Sequence, residues 1–128
     1  MSILSEGIRQ QPESAALHHS LGLALVRQGD TSAALASLNK AVELAPEAAR
    51  YAYVYGVALN STGRADESVS ALEQAHRLHP NHRDILFALT TINRDMGRND
   101  AAANWARKML EINPGDSGAQ QLLQLLGQ

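Results

Sequence analysis

Residues 15–48 read AALHHSLGLALVRQGDTSAALASLNKAVELAPEA, and the pattern of this segment returns twice further along the chain. The protein has four prolines, Pro12, Pro46, Pro80 and Pro114, and each follows the one before it at the same interval. Three glycines keep this interval too: Gly29, Gly63 and Gly97. Because all the prolines fall in one phase, the sequence indicates a tandem repeat.

Each period contains two stretches whose apolar residues lie at helical spacing. In the first period one stretch runs from Ala15 to about Gln28 and ends at Gly29, since glycine commonly follows a helix C-terminus. The other runs from Ala33 to Leu44 and stops before Pro46, which cannot continue the helical hydrogen bonds. The candidate N-caps of first helices are Ser14, Asn81 and Asp116. The short turns predict antiparallel helix pairs.

This pattern resembles the tetratricopeptide repeat family, in which the same helix–turn–helix unit recurs at the interval that the prolines keep here. Repeat 1 reads His18-x2-Leu21-Gly22-x2-Leu25, then Ala34-x3-Leu38, Ala41 and Pro46. Repeat 2 reads Ala52-x2-Tyr55-Gly56-x2-Leu59, then Ser68-x3-Leu72, Ala75 and Pro80. Repeat 3 reads Leu86-x2-Leu89-Thr90-x2-Asn93, then Ala102-x3-Ala106, Met109 and Pro114. The resemblance covers residues 15–116 fully and the two ends partly.

The resemblance implies an all-α fold, a right-handed superhelical solenoid of antiparallel helix pairs. Residues 1–128 would form a single domain of five parts. These are a partial repeat helix at 1–12, repeats at 15–48, 49–82 and 83–116, and a capping helix at 117–128. Met1 is then expected to begin a fragment, unless the lone first helix caps the array. Gln120 and Gln124 suit the outer face of a capping helix, which places the natural C-terminus near Gln128.

Two helices are expected to cross closely where Gly22 and Gly56 stand, opposite Ala34 and Ser68. A larger side chain there would overpack the crossing, at a cost of roughly 1–3 kcal/mol. The third repeat departs most from this pattern. Thr90 replaces the glycine, Ala106 stands where a leucine is expected, and Trp105 is expected to refill the space. We expect this repeat to be the least stable, or to differ for function.

Composition and charge disfavour several classes of function. The net charge is −2 and no block of like charges occurs, which argues against nucleic acid and against an anionic membrane surface. The chain has no cysteine, so disulfides and thiolate metal sites are excluded. The N-terminus lacks the pattern of a secretory signal, and the location is otherwise unknown, with the cytoplasm as default. No phosphate loop, nucleophile elbow or paired-carboxylate motif appears, so we expect neither an enzyme nor a cofactor.

In the family that the chain resembles, first helices line a concave groove. Helical geometry then gives one inward-facing set of residues in each repeat. The set comprises His19, Leu23 and Arg27, then Arg50, Tyr53, Val57 and Asn60, and finally Asp84, Phe87, Thr91 and Arg94. His19, Tyr53 and Phe87 are each one repeat period apart and would form a ladder of rings along the groove. The alternative is that these rings only pack against neighbouring repeats.

Two more specific hypotheses, a carboxylate clamp and a metal site, are disfavoured by the residues found at the corresponding positions of the repeats. Many relatives clamp a C-terminal carboxylate with Lys, Asn and Arg, at places that here hold His19, Leu23, Val54, Asp84 and Ala88. The basic clamp is absent, so an acidic chaperone tail is not the expected partner. The spacing of His76, His79 and His82 invites a metal site. These histidines occupy ordinary repeat positions, so we favour a solvated helix end and expect no metal.

The sequence therefore predicts a non-enzymatic protein–protein interaction module, which binds a peptide or helix of a partner protein in its concave groove. The alternative is a structural or oligomerisation segment of a larger protein. In that case Leu122 and Leu125, or the unpaired N-terminal helix, would contact another copy and produce a homo-oligomer.

Overall fold

The computed structural model describes residues 3–127, and the predicted ends at Met1 and Gln128 lie outside this range. The described chain forms α1 (Ile3–Gln10), α2 (Ala15–Gln28), α3 (Thr31–Leu44), α4 (Ala49–Ser61), α5 (Ala65–Leu78), α6 (Arg83–Asp95), α7 (Asn99–Ile112) and α8 (Ser117–Leu125). Within residues 3–127 there is no strand. None of the helices described is both long and apolar enough to cross a membrane.

The helix starts follow the repeat phase, with two differences from the sequence prediction. Ser14 and Asp116 cap α2 and α8, accepting the N–H groups of Leu17 and Ala119 at 3.3 and 3.2 Å. The cap predicted at Asn81 is wrong. Nδ1 of His82, the residue in phase with Ser14, accepts the N–H of Ile85 at 3.4 Å.

The second difference concerns α3, which begins at Thr31 rather than at Ala33. Asp30 caps this helix earlier than predicted, because its carboxylate accepts the N–H of Ala33 at 3.4 Å. The preceding Gly29 has φ of 81°, as its place after a helix C-terminus requires. The turn between α2 and α3 therefore contains only Gly29 and Asp30.

The helices stack as a solenoid in which each element contacts its neighbours. Within the repeats α2 packs on α3, α4 on α5 and α6 on α7. Between repeats α3 packs on α4, α5 on α6 and α7 on α8. The largest fully buried side chains include Leu38, Leu59, Leu72, Ile85, Leu86, Leu89 and Met109. Two clusters of buried side chains, one around Leu72, Ile85 and Leu89 and one around Leu86 and Met109, each combine residues from more than one part of the stack.

Close helix crossings occur at the predicted glycines, but the facing residue is different. A Cβ placed on Gly22 would lie 2.6 Å from the side chain of Leu38, and one on Gly56 would lie 2.5 Å from that of Leu72. Neither Ala34 nor Ser68 supplies the nearest atom. Ser68 instead donates its hydroxyl hydrogen to the Gly56 carbonyl at 2.6 Å.

At the same helix crossing in the third repeat, the larger residue lies on the first helix and the smaller residue on the second. The register pairs Thr90 with Ala106 where the earlier repeats pair a glycine with a leucine, and both residues are fully buried. Thr90 donates to the Leu86 carbonyl at 2.8 Å, so its hydroxyl is satisfied. The prediction that Trp105 refills this space stays a prediction. Trp105 packs against the neighbouring buried side chains, and its ring lies edge-on to His76 at 5.0 Å.

The helix α8 packs on α7. Leu122 is buried in the core, whereas Gln120 and Gln124 are exposed, as predicted for an outer face. Asp116 joins α8 to α6, because its two carboxylate oxygens accept Nε and a terminal nitrogen of Arg83 at 2.8 and 2.9 Å. Since Leu122 is an internal packing residue, its predicted role in contacting another copy is wrong.

Candidate interaction groove

The eleven residues predicted to line the groove differ in exposure. Arg27, Arg50, Asp84 and Phe87 are exposed. Leu23, Tyr53, Val57, Asn60, Thr91 and Arg94 are half-buried, and His19 is buried. Ten of the eleven therefore present some surface to solvent.

His19 does not belong to an open ladder of rings, which corrects that prediction. Its ring is 7% exposed and its centroid lies 4.6 Å from that of Tyr51, a residue of α4. Neither ring nitrogen has a hydrogen-bond partner in the described structure. Burial, together with the charge of Arg50, lowers the pKa of His19. The environment of His19 therefore matches the alternative prediction, in which the ring packs against a neighbouring repeat.

Phe87 is the most exposed ring of the predicted ladder, with 36% of the residue accessible. The guanidinium of Arg83 lies 5.2 Å from its ring centroid, at cation–π distance. The ion pair of Arg83 with Asp116 restrains this guanidinium. The ring is therefore supported by its own chain while part of its surface remains open.

An apolar cavity of about 380 Å³ opens between α2, α3 and α4. Its wall contains three of the predicted groove residues: Leu23, Tyr53 and Val57. Sequence reasoning missed Ala58 and Thr62, which also line it. The residues in phase with them, Ile92 and Met96, are larger; the sequence shows this difference in size, but whether it leaves a cavity depends on the packing of three helices.

The charged residues predicted to orient a partner are of two kinds. Arg94 donates to the carboxylate of Asp95 at 3.1 Å, so its charge is balanced locally. In contrast, no ion pair among residues 3–127 involves Arg27 or Arg50. These two arginines are also the only charged residues of α2 and α4 apart from any charge on the histidines.

The three spaced histidines have separate structural roles. His79 Nε2 lies 3.1 Å from the Pro46 carbonyl, and His82 caps α6. His76 packs on Trp105 with a buried Nδ1, so the predicted solvated helix end is wrong for this residue. Burial and then the charges of Lys108 and Arg77 lower the pKa of His76. Within the range described, no group of three His, Asp or Glu side chains is arranged to hold a metal ion.

These features define an all-α protein of stacked helical repeats with an apolar cavity between α2, α3 and α4. Tetratricopeptide repeat models match residues 4–47, 19–76 and 59–126. The chain therefore belongs to the tetratricopeptide repeat family, as the sequence motifs predicted. Members of this family are typically non-catalytic interaction scaffolds.

Solved structures share this architecture. A crystal structure of MamA has a TM-score of 0.82 and 25% identity, over 96% of this chain and 72% of that one. MamA from Desulfovibrio magneticus RS-1 gives 0.77 at 19% identity, over 96% and 70%. YrrB, a TPR protein described as having an unusual peptide-binding site, gives 0.75 at 22% identity, over 98% and 64%. The latter two likenesses show the fold alone. None of the curated proteins matches the sequence.

Proposed function

We propose that this protein is a non-enzymatic interaction module that binds a peptide or helix of a partner protein along α2, α4 and α6. The observation that carries the proposal is the convergence of Leu23, Tyr53 and Val57 on one open apolar cavity. Family membership supports a protein as the partner, since the fold serves as an interaction scaffold. Apolar pockets that receive a partner side chain are where interfaces concentrate their binding energy.

Partner capture would test the proposal. The wild type is compared with a Tyr53→Ala, Phe87→Ala double variant in a lysate pull-down read by mass spectrometry. The matched control is Leu78→Ala, Ile112→Ala, because these side chains are 63% and 45% exposed and lie at the ends of second helices. Circular dichroism must first show that both variants fold, since Tyr53 also packs against the core.

We expect specific partners to be captured by the wild type and the control, and to be lost with the Tyr53 and Phe87 variant. Equal capture by all three proteins would contradict binding along the first helices. Loss with the control alone would move the binding surface to the ends of the second helices.

A second candidate function, self-association through the last helix, is favoured by the exposure of Leu125. This side chain is 75% accessible at the end of α8. A Leu125→Ser variant would be compared with the wild type by light scattering over a concentration series. A dimer that is lost on substitution supports the structural alternative, whereas a monomer at every concentration excludes this contact.

A further inference from the structure

The two junctions between repeats differ in how their interior is filled. Where α2, α3 and α4 meet, Ala58 and Thr62 leave the cavity of about 380 Å³ open. At the next junction the residues in phase with them are Ile92 and Met96. Ile92 is 4% exposed within the core cluster, and Met96 packs against that cluster. The protein thus fills one site with its own aliphatic side chains and leaves the equivalent site empty.

Charge distinguishes the same two junctions. Arg27 follows the wall residue Leu23 by four positions, and Arg50 precedes Tyr53 by three, so each shares a helix face with the cavity wall. At the next junction the residues in phase with these arginines are Ser61 and Asp84. The open cavity therefore has a cationic side chain on each side, and the filled junction has neither.

We propose that the cavity between α2, α3 and α4 receives one aliphatic side chain from an internal segment of a partner protein, with acidic residues on both sides of it. This inference rests on the proposed function and names the chemistry of the partner. Leu, Ile or Met fits the cavity, because Ile92 and Met96 occupy the equivalent space. Aspartate or glutamate on both sides complements Arg27 and Arg50.

The segment binds as internal chain rather than as a C-terminus. The clamp places of carboxylate-binding relatives include His19, Leu23 and Asp84 here, and none of them holds a lysine or an arginine. His19 is buried with a lowered pKa, and Asp84 would repel a terminal carboxylate. Arg27 lies in the last turn of α2 and Arg50 in the first turn of α4, so the two arginines stand at opposite ends of their helices.

A phage-displayed library of random peptides supplies the probe. Enriched sequences are synthesised as amidated peptides and titrated by fluorescence polarisation against the wild type and an Ala58→Ile, Thr62→Met variant. This variant fills the cavity with the residues of the next repeat, which that repeat already packs. We expect enriched peptides to share Leu, Ile or Met between acidic residues, and the filled variant to weaken binding roughly 10- to 100-fold.

Three further variants keep the test independent of folding problems. Ala58→Val adds less volume to the cavity, and its thermal unfolding midpoint shows whether the protein remains folded. Arg27→Gln and Arg50→Gln leave the cavity unchanged and should each weaken binding roughly two- to fivefold. The same peptides with a free C-terminal carboxylate should bind no more tightly than their amides.

The inference is overturned if the library yields no peptide, or yields peptides without the aliphatic and acidic pattern. It is also overturned if filling the cavity leaves affinity unchanged, or if binding requires a free carboxylate. Partner capture separates this failure from that of the proposed function. If capture is lost in the Tyr53 and Phe87 variant but kept in the variant with the filled cavity, the proposed function is supported and this inference is not. If capture is kept in both variants, the proposed function and this inference are both contradicted.

Discussion

At the scale of single residues, two histidines show how packing changes the pKa of a side chain. His19 is buried and His76 is half-buried, and three of their ring nitrogens are buried without a hydrogen-bond partner in the described structure. Burial is the main reason that the pKa of each is below its ordinary value of 6.5. Both rings therefore favour the neutral form more than a free imidazole does.

These lowered pKa values predict a stability that falls in acid. The unfolded chain binds protons at its ordinary histidine pKa of 6.5, before the folded protein does. The free energy of unfolding should thus be fully retained above this pH and fall progressively as the pH drops toward the folded pKa values. Urea unfolding across this range would measure it.

A His19→Gln, His76→Gln variant is the control, since it removes both titrating groups. Its free energy of unfolding should vary less with pH than that of the wild type, although it will be lower overall. A wild-type profile as flat as the variant's would show that neither ring opposes protonation.

The glycines at the helix crossings give a second prediction for single residues. Gly56→Ala would place a Cβ 2.5 Å from the Leu72 side chain, so we expect a loss of roughly 1–3 kcal/mol despite alanine's better helix propensity. Gly7→Ala is the matched control, because its Cβ would meet only the end of Leu17, at 3.3 Å. Chemical denaturation of both variants measures the difference, and an equal effect would contradict the crossing geometry.

At the scale of helix pairs, α6 and α7 show how one repeat compensates for its departure from the pattern. Thr90 and Ala106 exchange the small and large positions that Gly56 and Leu72 occupy in the preceding pair. Because Thr90 is larger than a glycine, it offsets part of the volume that is lost where Ala106 replaces a leucine. Volume-conserving exchanges are the kind that protein cores tolerate best.

This compensation predicts strong coupling between the two sites. Ala106→Leu alone should overpack against Thr90, and Thr90→Gly alone should leave a void, so each should lower the free energy of unfolding. The double variant restores the arrangement of repeat 2 and should recover part of the loss, with a coupling of roughly 1–3 kcal/mol. A double-mutant cycle in urea measures it, and additive effects would show that the two side chains do not share the space.

At the scale of the whole molecule, stability is distributed along a linear stack in which each repeat depends on its neighbours. Seven residues of α6 are buried, against three of α2. The sequence pattern predicts that the third repeat is the least stable, or that it differs for function. The burial pattern favours the opposite order.

Amide hydrogen exchange would decide between these two views. We expect the amides of α6 to exchange more slowly than those of α2, since local opening of a helix costs more when more of its surface is buried. Faster exchange in α6 than in α2 would restore the original expectation that the third repeat is the weak one. Faster exchange confined to α8 would leave the ordering of the full repeats unchanged.

The repeat period, the helix pairs and the family could all be predicted from the sequence. Proline and glycine end helices through their own backbone properties, and an apolar face needs only the residues of its own helix. The cap at Asn81 was misplaced by one residue because Asn has the stronger general preference, whereas the register selected His82. Such errors arise where two neighbouring residues compete for one local role.

The sequence by itself determined where the helices lie, which ones pair and which family the protein joins, because those properties depend on neighbours along the chain and on a pattern that repeats. Only the tertiary structure decided that His19 is buried against Tyr51, and that Ala58 and Thr62 leave a cavity which Ile92 and Met96 fill one repeat later. Burial and free volume are set jointly by side chains from three helices. The sequence pattern of one helix therefore cannot specify either the burial or the free volume.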